Sequence, residues 1–163
     1  VNNAGTNVPQ HFLEVEVEAL DRVLDINVRA AFLVAQGAAR IMARGDGGAI
    51  VNMSSQMGHV GGAKRTVYCT TKFAIEGLTK SMALDLAAHG IRVNAVAPTF
   101  IETPMTRPML DDPGFRDQVL SMIPVGKVGT PVDVAAAVVF LASPAAALIT
   151  GTSLLVDGGW TAR

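Results

Sequence analysis

Cysteine is almost missing from this chain. Cys69 is the only one in 163 residues, so no disulfide closes within the sequence and no thiolate cluster for zinc exists. A reducing compartment, and hence a cytoplasmic protein, is the expectation. Charge is also sparse: 17% of residues are Asp, Glu, Lys or Arg, the formal net charge is -1, and no basic block occurs. Neither nucleic acid nor an anionic membrane surface is therefore expected as a partner. No apolar run reaches the roughly 18 residues a membrane helix needs, and the first residues lack the charged and apolar regions of a signal peptide. His11, His59 and His89 are scattered among separate elements. They read as solvent or loop histidines, and no metal site is expected.

What is abundant is apolar material. Half of the residues are hydrophobic, enough for a buried core in a chain of one domain's length. Against that background one stretch stands out, Tyr68-Cys69-Thr70-Thr71-Lys72, with Ser54-Ser55 just upstream. Tyr68 is the only tyrosine. In a helix, i and i+4 share a face, so the phenol and the ammonium are neighbours. A phenol titrates near about 10, and a nearby cation favours its ionised form. Such a pair suits proton transfer near neutral pH. A serine hydroxyl at an adjacent strand end could hold a carbonyl oxygen beside it.

In order, Val1 to Gly5 reads as the tail of a strand entering a turn, with Gly5 permitting backbone geometry that other residues resist. From Phe12 to about Arg44 the periodicity predicts one long helix. Its apolar face comprises Leu20, Val23, Leu24, Ile26, Val28, Ala31, Phe32, Val34 and Ala35. Asn27 interrupts that run, as a buried amide with a specific partner would. After Gly45-Asp46-Gly47-Gly48, a strand over 49–53 delivers Ser54-Ser55 at its carboxyl end. A second helix is predicted from about Thr66 to Ala88, ending at Gly90 and packing through Phe73, Ile75, Leu78, Met82, Leu84 and Leu86. A strand over 91–97 stops at Pro98. The stretch from Thr99 to about Val128 is broken by four prolines, with one short helix around Gly114 to Met122, and reads as a lid. Thr130-Pro131 opens a third helix, and Ser153 to Val156 is a last strand before Asp157-Gly158-Gly159.

Strands alternating with helices imply a parallel, doubly wound α/β sheet, one folding unit over 1–163, with ligands at the carboxyl ends of the strands. Gly5, Ser55 and the loop after Pro98 all fall there.

Six pieces in register resemble the short-chain dehydrogenase/reductase family: Asn2-Asn3-Ala4-Gly5, the helix Asn27, Ser54-Ser55, Tyr68-x-x-x-Lys72, Val93 to Pro98, and the tail from Thr150 to Gly159. The resemblance covers essentially the whole chain. It implies a Rossmann-type fold and an enzyme that interconverts an alcohol and a ketone or aldehyde with NAD or NADP. It assigns Tyr68 as general acid/base and Ser55 as the partner of the carbonyl oxygen. Lys72 is implied to lower the Tyr68 pKa and bind the nicotinamide ribose, and Asn27 to position a water of a proton relay. Asn3, Ala4 and Gly5 are implied to line the adenosine-side ribose region. Tyr68, Lys72, Pro98, Ile101 and Thr103 complete the cofactor set. Family membership also implies a small-molecule partner and a homo-oligomer, tetramer or dimer.

Two departures qualify the resemblance. Thr99 follows Pro98 where the family usually has glycine, placing a side chain near the nicotinamide region. The first βαβαβ half, whose glycine-rich turn holds pyrophosphate at a helix N-terminus, is not in these residues. The sequence is therefore expected to be the carboxyl-terminal part of a longer protein, because its first strand would otherwise leave a raw sheet edge. A catalytically silent binding member of the fold and an inactive fragment are the competing readings. The substrate stays open between acyl thioesters and sugars or polyols. Met57, Val60, Met105, Met109, Leu110, Phe115 and Met122 are its candidate apolar contacts.

Overall fold

The computed structural model describes residues 1–162. Three parallel strands, β1 (Gly48–Met53), β2 (Ile91–Pro98) and β3 (Ser153–Val156), lie side by side in that order. Ile50 pairs with Val93, and Val96 with Leu154. On the free side of β1, Asn2 forms a parallel bridge to Asn52, so the residues before Gly5 end a strand as expected. Among the described residues the α-helices are α1 (Val17–Leu24), α2 (Ala31–Met42), α3 (Thr66–Leu86), α4 (Arg107–Leu110), α5 (Pro113–Ser121) and α6 (Pro131–Ala142).

Successive strand residues face opposite sides, and the sheet uses both. Ile50 and Val93 pack with Ala39 of α2 and Ala83 of α3 on one face. Val51 and Val96 pack with Leu141 of α6 on the other. This is the doubly wound parallel arrangement. A third apolar cluster, Leu110, Val119, Ile123 and Val128, holds the Pro-rich stretch together and includes a Phe100–Phe115 edge-on pair. That stretch is thus packed, not loose, and α4 is a helix the prolines concealed.

The helix expected from Phe12 to Arg44 is not one helix. A single 3-10 turn at Phe12–Glu14 precedes α1, and Asp25–Ala30 between α1 and α2 forms wider π turns. The expected apolar face is also only partly buried. Ala31, Ala35 and Ala39 line the buried seam at i+4 spacing, whereas Phe32 and Val34 face outward. On α3, Ile75 is buried but Phe73 and Leu84 are exposed, because Thr71, Lys72, Glu76 and Thr79 occupy the inner face. Hydrophobicity alone pointed to the wrong side chains here: the inner surface is small or polar.

Polar side chains fasten the layers. Asn52 donates to Thr79 of α3 at 2.9 Å, and Asn94 donates to the Ile149 carbonyl at 2.8 Å while accepting from the Thr152 amide. The turn into β1 needs glycine at position 47, where φ is +80° and a Cβ would fall 2.3 Å from the Gly90 carbonyl oxygen. Gly5, by contrast, is not in the left-handed region, which corrects the backbone reason given for it above.

Candidate active site

β1 ends at Met53 and delivers Ser54 and Ser55, both buried, to the carboxyl edge of the sheet. Ser55 is extended and caps the 3-10 turn Gln56–Gly58: its Oγ accepts from the Met57 amide at 3.1 Å. The same hydroxyl donates to Gln56 Oε1 at 2.8 Å and faces the Pro98 carbonyl at 3.5 Å. α3 begins beside this turn, so its first two turns carry Tyr68 and Lys72 under the strand ends. Lys72 Nζ sits 5.4 Å from the Tyr68 ring centroid and donates to the Met53 carbonyl at 2.8 Å. Sequence spacing thus placed the phenol and ammonium on one face correctly.

Burial sets the ionisation of both. It pushes the Lys72 ammonium down to about 8, with the Glu76 carboxylate one turn later opposing it. It pushes the Tyr68 phenol up, against the Ser55 hydroxyl and the Arg65 charge, which pull it down. Arg65, three residues before Tyr68, is a cation that favours the phenolate. Arg65 itself is pushed down by burial.

Asn27 is 2% exposed and sits in the π segment. Its Oδ1 accepts from the Thr6 amide at 2.7 Å, and its Nδ2 donates to the Thr6 carbonyl at 2.8 Å and to Thr71 Oγ1 at 3.0 Å. The expected buried amide with specific partners is present. It clamps the Gly5-Thr6 turn to α3 beside Lys72. A Cβ on Gly5 would lie 3.5 Å from Asn27 Oδ1 and 3.8 Å from Lys72 Nζ, so Gly5 is where Asn27, Lys72 and the turn meet.

Of the remaining cofactor candidates, Asn3 and Ala4 are exposed at the sheet edge, and Pro98 is half-buried at the end of β2. Ile101 is 9% exposed, its side chain turned into the fold against Gly129. Thr103 is bound up with Thr106, whose hydroxyl also contacts the Ile101 carbonyl. These two offer backbone or loop shape more than free side chains.

A cavity of about 340 Å³ opens where Ser55 and Tyr68 converge. Met57, Met105 and Met109 line it, as expected, while Leu110 and Phe115 belong to the packed cluster instead. The sequence reading missed Asn7, Gln56, Arg65 and Thr106 in its wall. For Arg65 a signal existed: it precedes Tyr68 by three residues, and i, i+3 share a face. Thr99 lines the same cavity, and its buried Oγ1 has no hydrogen-bond partner; nor has Asn7 Oδ1. His59, read as a solvent or loop histidine, has specific partners instead: Nε2 lies 3.3 Å from the buried Glu76 carboxylate and 3.2 Å from Ser153 Oγ.

Comparison with known proteins places this geometry in context. The family model described as enoyl-(acyl carrier protein) reductase matches residues 1–161. L-xylulose reductase of Mus musculus is 46% identical over 163 residues, covering 99% of this chain and 67% of its own length. (3R)-3-hydroxyacyl-CoA dehydrogenase of the same organism is 43% identical, covering 98% of this chain and 61% of its own. Among solved structures, a gluconate 5-dehydrogenase from Burkholderia cenocepacia in complex with NADP and tartrate superposes with a TM-score of 0.97 at 34% identity. The match covers 99% of this chain and 64% of that one. The chain thus spans about two thirds of the length of these relatives.

Proposed function

The chain belongs to the short-chain dehydrogenase/reductase family, and from that premise we propose that it serves an NAD(P)-dependent oxidoreductase that interconverts an alcohol and a ketone or aldehyde. The observation that carries the reading is that Ser55 and Tyr68 face one cavity while Lys72 lies behind the Tyr68 ring.

The residues present fit a nicotinamide dinucleotide. Lys72 is a buried ammonium with one hydrogen bond, to Met53, and two donors to spare for ribose hydroxyls. Gly5 offers a face without a side chain beside it. When bound, the dinucleotide supplies or accepts the hydride. The chain's own residues do the rest. In reduction, the Ser55 hydroxyl turns its single proton from Gln56 to the substrate oxygen, and the Tyr68 phenol donates its proton to that oxygen as the hydride reaches carbon. In oxidation the Tyr68 phenolate, formed once its proton has left through the relay, takes the hydroxyl proton as hydride leaves carbon. A phenol pushed up by burial is protonated at neutral pH, the form that reduction consumes. Lys72, brought to about 8, is positioned to pass the replacement proton. Asn27 keeps the turn at Thr6 fixed against α3, beside this relay.

Exposed Phe32, Leu33 and Val34 on α2 and Phe73 and Leu84 on α3 support a homo-oligomer, since a second copy would cover such surface. Among the described residues no helix is long and apolar enough to cross a membrane. The cytoplasmic assignment rests on the lone Cys69.

Replacing Tyr68 by Phe tests the reading, since it removes one hydroxyl and little volume. Turnover followed by nicotinamide absorbance should fall about a thousandfold, within the range for losing a general acid, while dinucleotide binding persists. Unchanged turnover in Tyr68→Phe would refute the assignment.

A further inference from the structure

The wall of the cavity that holds Ser55 and Tyr68 also holds a cation without a counter-ion. Arg65 lies at the N-terminal end of α3 and is half-buried. The hydrogen bond its guanidinium makes is to Met109 Sδ at 3.5 Å, and a thioether is a weak acceptor. Among the described residues no carboxylate forms an ion pair with it, and the cavity wall contains no Asp or Glu. A guanidinium carries five donors in a planar fork matched to carboxylate geometry, and it stays protonated in proteins. The first turn of α3 has no acidic residue and no side-chain cap, so the helix end adds positive potential to the same wall.

The cavity, about 340 Å³, is at the small end for ligand sites of roughly 300–1,000 Å³. It suits a short molecule better than a long acyl chain.

We propose that Arg65 receives the carboxylate of the substrate, so that the protein acts on small hydroxy acids, with the reacting carbinol or keto carbon at Ser55 and Tyr68. This rests on the dehydrogenase reading above. It separates a hydroxy-acid substrate from both a neutral sugar and an acyl thioester. The reaction is balanced by the cofactor already named. With a bound dinucleotide as hydride acceptor, the carbinol C–H bond would break with loss of hydride, the hydroxyl proton would pass to the Tyr68 phenolate, and a ketone would form.

The test is a panel of four- to six-carbon aldonic acids beside the matching neutral alditols, assayed with wild type, Arg65→Gln and Arg65→Lys. Binding of each acid is measured separately by calorimetry. In wild type, kcat/KM should favour at least one acid over its alditol. Arg65→Gln should lower that acid-to-alditol ratio about tenfold or more, the size of a lost charge-assisted hydrogen bond, and Arg65→Lys should restore part of it. An acid-to-alditol ratio unmoved by Arg65→Gln overturns the proposal while leaving the dehydrogenase reading in place. So does a wild type that binds none of the acids at millimolar concentration. Acid binding lost in Arg65→Gln, with no hydride transfer to or from any substrate in wild type, supports Arg65 as the receptor and removes the dehydrogenase reading instead. Thermal unfolding of both variants identifies any loss due to misfolding, in which case Arg65→Lys carries the comparison.

Discussion

Lys72 Nζ lies 2.8 Å from the Met53 carbonyl oxygen, so the ammonium beneath Tyr68 is tied to the carboxyl end of β1. The bond fixes the cation where the strand, α3 and the Gly5 turn converge, and it does so at 5% exposure. Burying a charge this way has a measurable consequence. The folded group titrates at about 8 against 10.5 for the free side chain. Between those values the unfolded chain holds the extra proton, so stability rises with pH there. Below about 8 both states are protonated and the penalty is constant. In denaturant melts, the stability of wild type relative to Lys72→Met should therefore be flat below pH 8. It should then climb by roughly 3 kcal/mol in favour of wild type by pH 10.5. A flat difference across the whole range would contradict the buried ammonium.

Glu76 is the carboxylate that opposes this shift. It is 6% exposed and held by Ser153 Oγ at 2.9 Å. Glu76→Gln keeps the shape and removes the charge, so the Lys72 pKa should move lower still. The limb of the pH–turnover profile assigned to Lys72 should shift to lower pH; a shift upward or none would show that Glu76 acts only through packing.

Asn27 makes three hydrogen bonds from a site 2% exposed. Asn27→Ala leaves the Thr6 amide and carbonyl without their partner and should cost about 2–4 kcal/mol in urea unfolding. Dinucleotide affinity should fall with it, because the Gly5-Thr6 turn loses its clamp. A loss below about 1 kcal/mol would mean water replaces the amide freely.

Gly5→Ala separates folding from binding. The new methyl would meet Asn27 Oδ1 and Lys72 Nζ at 3.5 and 3.8 Å, ordinary contact distances, and φ at Gly5 is not positive. Stability should stay within about 0.5 kcal/mol of wild type. Fluorescence titration with NADPH should nonetheless show weaker binding, since the methyl occupies space in front of the ammonium. Equal affinity would place the dinucleotide elsewhere.

The parallel sheet, the order of elements and the convergence of Gly5, Ser55, Tyr68 and Lys72 were legible in the sequence. Those features depend on local period and spacing, and both are written residue by residue. The Tyr68–Lys72 contact is the clearest case, since i, i+4 geometry fixes it. The buried faces of α2 and α3 were not legible, because alanine seams and inward Thr71, Lys72 and Glu76 invert the usual hydrophobic rule. The cavity wall was read only in part. Asn7 and Arg65 come from distant segments, and only tertiary packing brings them to Ser55.

The wide turns at Asp25–Ala30 set a limit of a different kind on this chain. A π turn accommodates a residue more than an α-helix uses over the same rise. Deleting one residue from this segment would let α1 and α2 join as regular helix with their faces still in register, since the extra residue is what the wide turns absorb. Ala31, Ala35 and Ala39 would stay on the seam, and the loss would fall on Asn27, whose line to Thr6 the wide turns set. Point substitutions on the outer face of the same segment disturb none of this. The extra residue thus serves to place one amide: a deletion here should weaken dinucleotide binding, whereas a deletion within α2, which turns all that follows by about 100°, should cost the fold.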